Sequence, residues 1–572
     1  MRSVHSKRAR RIAACTALVL SAGMLLAAPA TADEPSPRSA AEKPEPTVTL
    51  PAKPDLSKLS ASEGAGSRAD ASGATVVSPL RSDLDGDGSG DLILRESGIV
   101  FTSPSTADSA EFYLSDNPTD FPKDIIPIGD QDGTGSPEVL TLSQYGKLSL
   151  YREANASGGN YSWSGNGWNI YNKVFSPGDV NGDQKPDLMA RQTNGDLYLY
   201  LASGSAGSPF HARVKIGSGW NIYDQVVGAG DNNGDGLADV IGRTPNGSLY
   251  FYGGTGSTTA PFKPRQGIGT GWQTYNQIIG MDDVTGDGNA ELFARDQAGV
   301  LWGYEGTGTA GYAPRVRLGE GWESVDQFGG AGSIPVFGKN ELLARDGQGR
   351  LYWYYALNDG KLSPRVEVGE GWGGANITNV SSLDQDGYAD LLEIYQGHLY
   401  NNQTGTDFGG GWGVYNLMAG PGDLSGDGRG DLLARDGSGN LYVYRGNGNG
   451  TAFQARIKVG SGWNAYNRIL GAGDYTGDGL TDLVARTAGG DLYLYAGTGQ
   501  AAAPFKSRLK IGSGWQTYGK LVAPGDLNGD GKGDLLGVTS AGDLYRYYST
   551  GTGAFGPRVK IGTGFQVYNG LY

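Results

Sequence analysis

Cysteine is all but missing: Cys15 is the single one in 572 residues. It lies in an N-terminal stretch that reads as removable, so disulfides, thiolate catalysis and cysteine metal sites are excluded from the remainder. Histidine is almost as scarce, with only His211 and His398 beyond that stretch. Bases are outnumbered, 46 Lys and Arg against 60 Asp and Glu for a formal charge of -14, which gives no support to nucleic acid or another polyanion as partner. Long apolar runs are absent apart from Ile12 to about Ala28, and no segment sustains a helical period. What is plentiful is Gly, at 98 residues, beside 26 Pro, 32 Tyr, 15 Phe and 11 Trp. That composition argues against a mainly helical protein and against wholesale disorder.

Residues 1–32 read as a secretory signal peptide. Arg2, Lys7, Arg8, Arg10 and Arg11 precede the apolar run, and Ala30-Thr31-Ala32 offers a small-residue cleavage site. A retained anchor is disfavoured because the run is short and holds Cys15, Thr16 and Ser21. Cleavage would leave 60 acids against 41 bases, a charge of -19, on a secreted, extracellular chain with no membrane span. Residues 33–75, rich in Pro, Ala, Ser, Glu and Lys and without an aromatic ring, predict a flexible linker.

Beyond residue 75 the chain repeats itself. Taking the first position of an acidic loop as ruler, copies begin at Asp83, Asp130, Asp179, Asp231, Asp283, Ser333, Ser382, Asp423, Asp474 and Asp526, at steps of 41 to 52 residues. One copy predicts four short strands, as in QVVGAG, ADVIGRT, SLYFYGG and FKPRQGIG, and the alternation in Leu197-Tyr198-Leu199-Tyr200 sends Leu and Tyr to opposite faces. Four strands in about 50 residues match a propeller blade. The expected fold is an all-β propeller of about ten four-stranded blades. The tail GTGFQVYNGLY supplies the GW-like segment that the first copy lacks, which suits ring closure. A division into two tandem five-bladed propellers, 76–331 and 332–572, is favoured. A single larger ring, or seven or eight blades with spare N-terminal copies, is the alternative.

The loops follow D-x-D/N/S/T-x-D-G-x-x-D/E. Asp83, Asp85, Asp87 and Asp91 set the pattern, and it recurs at Asp179, Asn181, Asp183 and Asp187; at Asp231, Asn233, Asp235 and Asp239; and at Asp423, Ser425, Asp427 and Asp431. It returns at Asp474, Thr476, Asp478 and Asp482, at Asp526, Asn528, Asp530 and Asp534, and with a terminal Glu at Asp283, Thr285, Asp287 and Glu291. Asp130, Asp132, Thr134 and Glu138 have one carboxylate fewer, and Asp384, Asp386 and Asp390 lack the first acid. Hard oxygen donors in a Gly-assisted turn suit calcium, whereas ordinary Asp/Gly hairpin turns would not recur at fixed offsets. The copy at Ser333 places Pro335 and Phe337 at ligand positions, so no ion is expected there.

With the flanking GAGD...GDG..DL patterns, these loops resemble the FG-GAP/VCBS repeats of integrin-like propellers over about residues 76 to 572. That resemblance implies structural calcium. The IGSGW...NGxLY pattern, as in Ile216 to Trp220 followed by Asn246 to Tyr250, resembles the repeat of tachylectin-type propeller lectins. It implies sugar binding between blades.

Three functions follow as expectations. The first is multivalent glycan binding through Trp168, Trp220, Trp272, Trp322, Trp412, Trp463 and Trp515, with Trp372 a further copy, against the reading of each Trp as a packing wedge. The second is a protein-binding adhesion module on a cell surface, with Arg191, Arg243, Arg295, Arg345, Arg435 and Arg486 either facing a partner or tying strands to carboxylates within the blade. A polysaccharide-active enzyme ranks last. His211 and His398 sit at repeat-variable places, and the suggestive carboxylate pairs belong to the acidic loops, so no catalytic residue is expected.

Overall fold

The computed structural model describes residues 38, 43, 48–59, 80–114, 122–335, 339–384, 387–471 and 473–572. The expected signal peptide, most of the expected linker, Asp386 and Phe337 lie outside these residues.

The fold is all-β, with ten sheets among the described residues. One copy shows how a blade forms. Strands Gln225–Gly230, Asp239–Arg243, Leu249–Tyr252 and Gln266–Gly269 pair antiparallel in sequence order. In the third strand Leu249 and Phe251 are buried while Tyr250 and Tyr252 are half-buried, which is the period-two pattern of a strand between two unlike neighbours. A 3-10 turn, Trp272–Thr274, then delivers the chain to the next inner strand, Tyr275–Gly280. The second sheet gains a fifth strand, because Tyr113–Leu114 lies parallel to Gly158–Gly165.

Two late strands join early sheets. Gln327–Phe328 pairs with Leu92–Glu96, and Tyr568–Leu571 pairs with Glu341–Asp346. The inner strands Pro122–Gly129, Tyr171–Gly178, Gln225–Gly230, Tyr275–Gly280 and Gln327–Phe328 touch in a closed cycle. Five sheets thus precede Ser333 and five follow it. At the centre of the first group the backbones nearly meet: a Cβ on Gly280 would lie 1.8 Å from the Gly228 carbonyl oxygen, so only glycine fits.

Part of the expected linker is laid against the blades. Val48, Leu50, Leu56 and Leu59 pack on the cluster around Trp322 and Phe328, and the Asp55 N–H donates to the Leu318 carbonyl at 2.9 Å. Lys43 pairs with Glu341 at 2.8 Å. A free linker therefore does not describe residues 48–59, where apolar side chains spaced along a polar segment find a groove to fill.

Candidate functional site

The acidic loops share one internal frame. In the loop at Asp179, one carboxylate oxygen of Asp179 accepts the Gly182 N–H at 2.7 Å and the other accepts the Gln184 N–H at 2.6 Å. The ninth residue, Asp187, closes the loop at both ends, accepting the Val180 N–H at 3.1 Å and the Ala202 N–H at 2.9 Å. Asp239, Asp431, Asp482 and Asp534 make the corresponding pairs. The ninth position thus also anchors the loop to the end of the next hairpin, a role that the spacing alone did not disclose.

Burial pushes these ninth carboxyls upward, with neighbouring carboxylates adding to the effect. Asp91 rises to about 6, Asp187, Asp239 and Asp431 to about 7, and Glu138 and Glu291 to about 8. Ligand atoms of Asp83, Asp85 and Asp91 lie within 4.8 Å of one another, as do those of Asp130, Asp132 and Glu138, of Asp283, Asp287 and Glu291, and of Asp474, Asp478 and Asp482. Glu138 Oε1 is buried without a partner. An oxygen-only donor set with crowded, desolvated carboxylates is what a hard divalent cation would relieve. In the weaker loop Asp390 accepts the Leu383 N–H at 2.6 Å, and Ser333 bridges to Gln225 as part of the sheet framework.

The tryptophans are largely buried. Trp168, Trp220 and Trp272 are each 8% exposed and Trp322 is 1% exposed. Trp515 is half-buried. Gly217 explains the seating of Trp220, since a Cβ there would sit 2.8 Å from the indole Nε1. Beside most of these rings lies a constellation that the sequence reading missed. Trp220 lies 4.6 Å from Tyr252, centroid to centroid. The hydroxyls of Tyr223 and Tyr252 meet at 2.6 Å, and Arg265 donates to Tyr223 at 3.0 Å while covering the Tyr250 ring at 4.4 Å.

The set recurs as Trp168 with Tyr171, Tyr200 and Arg213; Trp272 with Tyr275, Tyr304 and Arg315; and Trp412 with Tyr415, Tyr444 and Arg456. Trp463 and Trp515 carry it with Arg508 and Arg558. At the closing strand Phe565 replaces Trp beside Tyr568, Tyr354 and Arg365. The signal was present as an Arg 43 to 45 residues after each of these Trp, in PFKPRQGIG and its copies. At Trp168 the set lines a cavity of about 320 Å³ with Trp163, Ile170, Phe210 and His211, and Ile170 is 44% exposed at its rim. Trp322 differs. Among the described residues it has no such Tyr pair or Arg, and residues of the 48–59 segment pack on its cluster, so it offers no open face.

The other arginines bind within the fold, mostly not to carboxylates as expected. Arg191, Arg295, Arg435 and Arg486 each place Nε against an Asn side chain, whereas Arg243 meets Asp224. His398 pairs with Asp407 at 3.0 Å on an exposed edge. Among the described residues no helix is long and apolar enough to cross a membrane.

A family model described as an FG-GAP-like repeat matches residues 179–242, 423–485 and 474–537. A search of curated proteins finds no match. Similar solved structures include an Agrocybe aegerita lectin described as recognising non-reducing terminal N-acetylglucosamine, at 17% identity over 83% of this chain and 90% of that one, TM-score 0.24. Sqt1 of Saccharomyces cerevisiae is similar at 12% identity over 78% and 87%, TM-score 0.22. BBS1N in complex with ARL6DN is similar at 12% identity over 63% and 87%, TM-score 0.20. Within 179–242 and 423–537 the acidic loops and the strands around them match FG-GAP-like repeats, carried on four-stranded propeller blades.

Proposed function

We propose that this is a secreted recognition protein without catalytic function, made of two calcium-stabilised five-bladed rings spanning 76–331 and 332–572, whose clefts between blades bind glycans in many copies. The recurrence of the Trp/Tyr/Tyr/Arg cleft carries this reading. An aromatic edge, a pair of hydroxyls and a guanidinium around an open space offer stacking and hydrogen bonds to a sugar face, and repetition converts weak sites into avidity. The exposed apolar side chain two residues after the aromatic anchor, Ile170, Ile222, Val414 or Val567, adds a contact for a methyl or acetyl group. Calcium is the cation of choice for the loops because every donor is oxygen and the ligand count is high.

The test is binding of the calcium-loaded protein to a glycan array that includes chitin and peptidoglycan fragments. Selective binding that is competed by free sugar and lost in Arg265→Ala/Arg508→Ala supports the clefts. No binding from folded, calcium-loaded protein transfers the function to protein partners.

A further inference from the structure

The two rings meet through unlike faces. On the first ring the face is made of residues that follow each GW turn and of the second-strand arginines. On the second ring it is made of acidic loops. Asn169 donates to the Gly426 carbonyl at 2.7 Å, Asn172 to the Asp478 carbonyl at 2.7 Å, and Gln277 and Arg295 to the Gly529 carbonyl at 3.1 and 3.3 Å. Lys532 pairs back to Asp224 at 3.4 Å. Glycine at the sixth loop position permits the approach: a Cβ on Gly428 or Gly479 would lie 2.7 or 2.4 Å from Gln144 or Asn172.

Each ring carries both faces, so each half of this contact is left over once. On the second ring, Asn416, Asn467 and Asn569 hold the positions of Asn172 and Asn276 but are exposed, whereas Asn172 and Asn276 are 7% and 1% exposed. Arg435 and Arg468 lie on this open side, and Arg468 forms no ion pair among the described residues. On the first ring, Gly135 and Gly288 hold the sixth position in open space, with nothing within 4 Å of an added Cβ.

We propose that the open face of the second ring receives the acidic loops of the first ring of another copy of this chain, repeating between molecules the contact made within one. The partner is chosen by complementarity already seen: loop carbonyls accept from Asn and Arg side chains, and an acidic surface meets a basic one. Such a contact is heterologous and does not close on itself, so copies add head to tail. The loop at Asp179 is the exception, since Gln184 stands at its sixth position and its side chain blocks close approach.

Sedimentation of the full-length secreted chain over a hundredfold concentration range, in millimolar calcium and in EGTA, tests this. The expected result is a mean mass that climbs past the dimer without a plateau. Asn416→Trp/Asn467→Trp blocks one face and Ser136→Trp/Asn289→Trp the other. Each variant alone stays monomeric, and their mixture stops at a one-to-one dimer. Arg468→Glu, at an exposed side chain that donates to its neighbour Asn467, weakens association at least tenfold and serves if the Trp variants misfold. A wild-type chain that remains monomeric throughout, or one whose association ignores every variant, overturns the proposal.

Discussion

Arg243 and Asp224 face each other through two bonds, 3.1 Å from Nε and 2.6 Å from the terminal nitrogen, at 3% and 4% side-chain exposure. Burial alone would raise the Asp224 carboxyl, but Arg243 and Lys532 bring it down to about 2. Lys532, from the last of the acidic loops, reaches the same carboxylate at 3.4 Å. Removing the carboxylate strands a buried guanidinium. Asp224→Ala is therefore expected to cost about 3–5 kcal/mol, read by denaturant unfolding. Arg435→Ala, the open counterpart paired to Asn416, should cost far less, and equal costs would contradict the burial argument.

The ninth loop carboxyls behave in the opposite sense. Their folded-state values, about 6 for Asp91, 7 for Asp187 and 8 for Glu291, lie above the ordinary value near 4. The folded state then holds more protons, so the stability they contribute is present at low pH and drains away as pH rises through about 6 to 8. Metal-free protein should melt higher at pH 5 than at pH 8. Calcium should flatten or reverse that trend, and EGTA should sharply lower the melting temperature at pH 8. Calorimetry at both pH values, with and without calcium, checks the sign; a metal-free protein that melts higher at pH 8 contradicts it.

The blade count, the strand order and the loop frame were legible because each depends on spacing within one repeat. Leu249 and Phe251 inward with Tyr250 and Tyr252 outward is local alternation. The tail GTGFQVYNGLY was legible as a closing strand, but it completes the sheet of Glu341–Asp346, while Gln327–Phe328 completes that of the first copy. The Arg265 side of the cleft was less legible, because its partner Tyr223 lies 42 residues away and belongs to the start of the blade. The 48–59 segment was illegible for another reason: its few leucines follow no period, and only the groove beside Trp322 gives them a place.

Cleft residues should divide into those that hold the fold and those that do not. Trp220 is packed between Tyr223, Tyr252 and Phe262, so Trp220→Ala should lose about 3–5 kcal/mol and any binding with it. Arg265 rests on the outer surface of Tyr250, and Arg265→Ala should leave the melting temperature within a few degrees. Thermal melts paired with glycan titration separate the two. An Arg265→Ala protein that fails to fold would give the guanidinium a structural role instead.

Gly280 and Gly267 offer the same substitution in opposite surroundings. Neither needs a left-handed backbone, so strain does not enter the comparison. At Gly280 a methyl group would collide with the Gly228 carbonyl oxygen at 1.8 Å and with Val227 at 2.8 Å, in the closed cycle of inner strands. Neither neighbour can retreat, because Gly228 itself would admit a Cβ only 2.0 Å from the Ser176 carbonyl oxygen. At Gly267, on the exposed outer strand, the nearest atom would be Tyr250 at 3.9 Å, ordinary contact. Gly280→Ala should destabilise by about 3 kcal/mol or more through overpacking. Gly267→Ala should be neutral or stabilise by up to about 1 kcal/mol, because the unfolded chain loses freedom. If equilibrium unfolding found the two equal, the inner strands would have to stand further apart than the Gly228 to Gly280 approach allows.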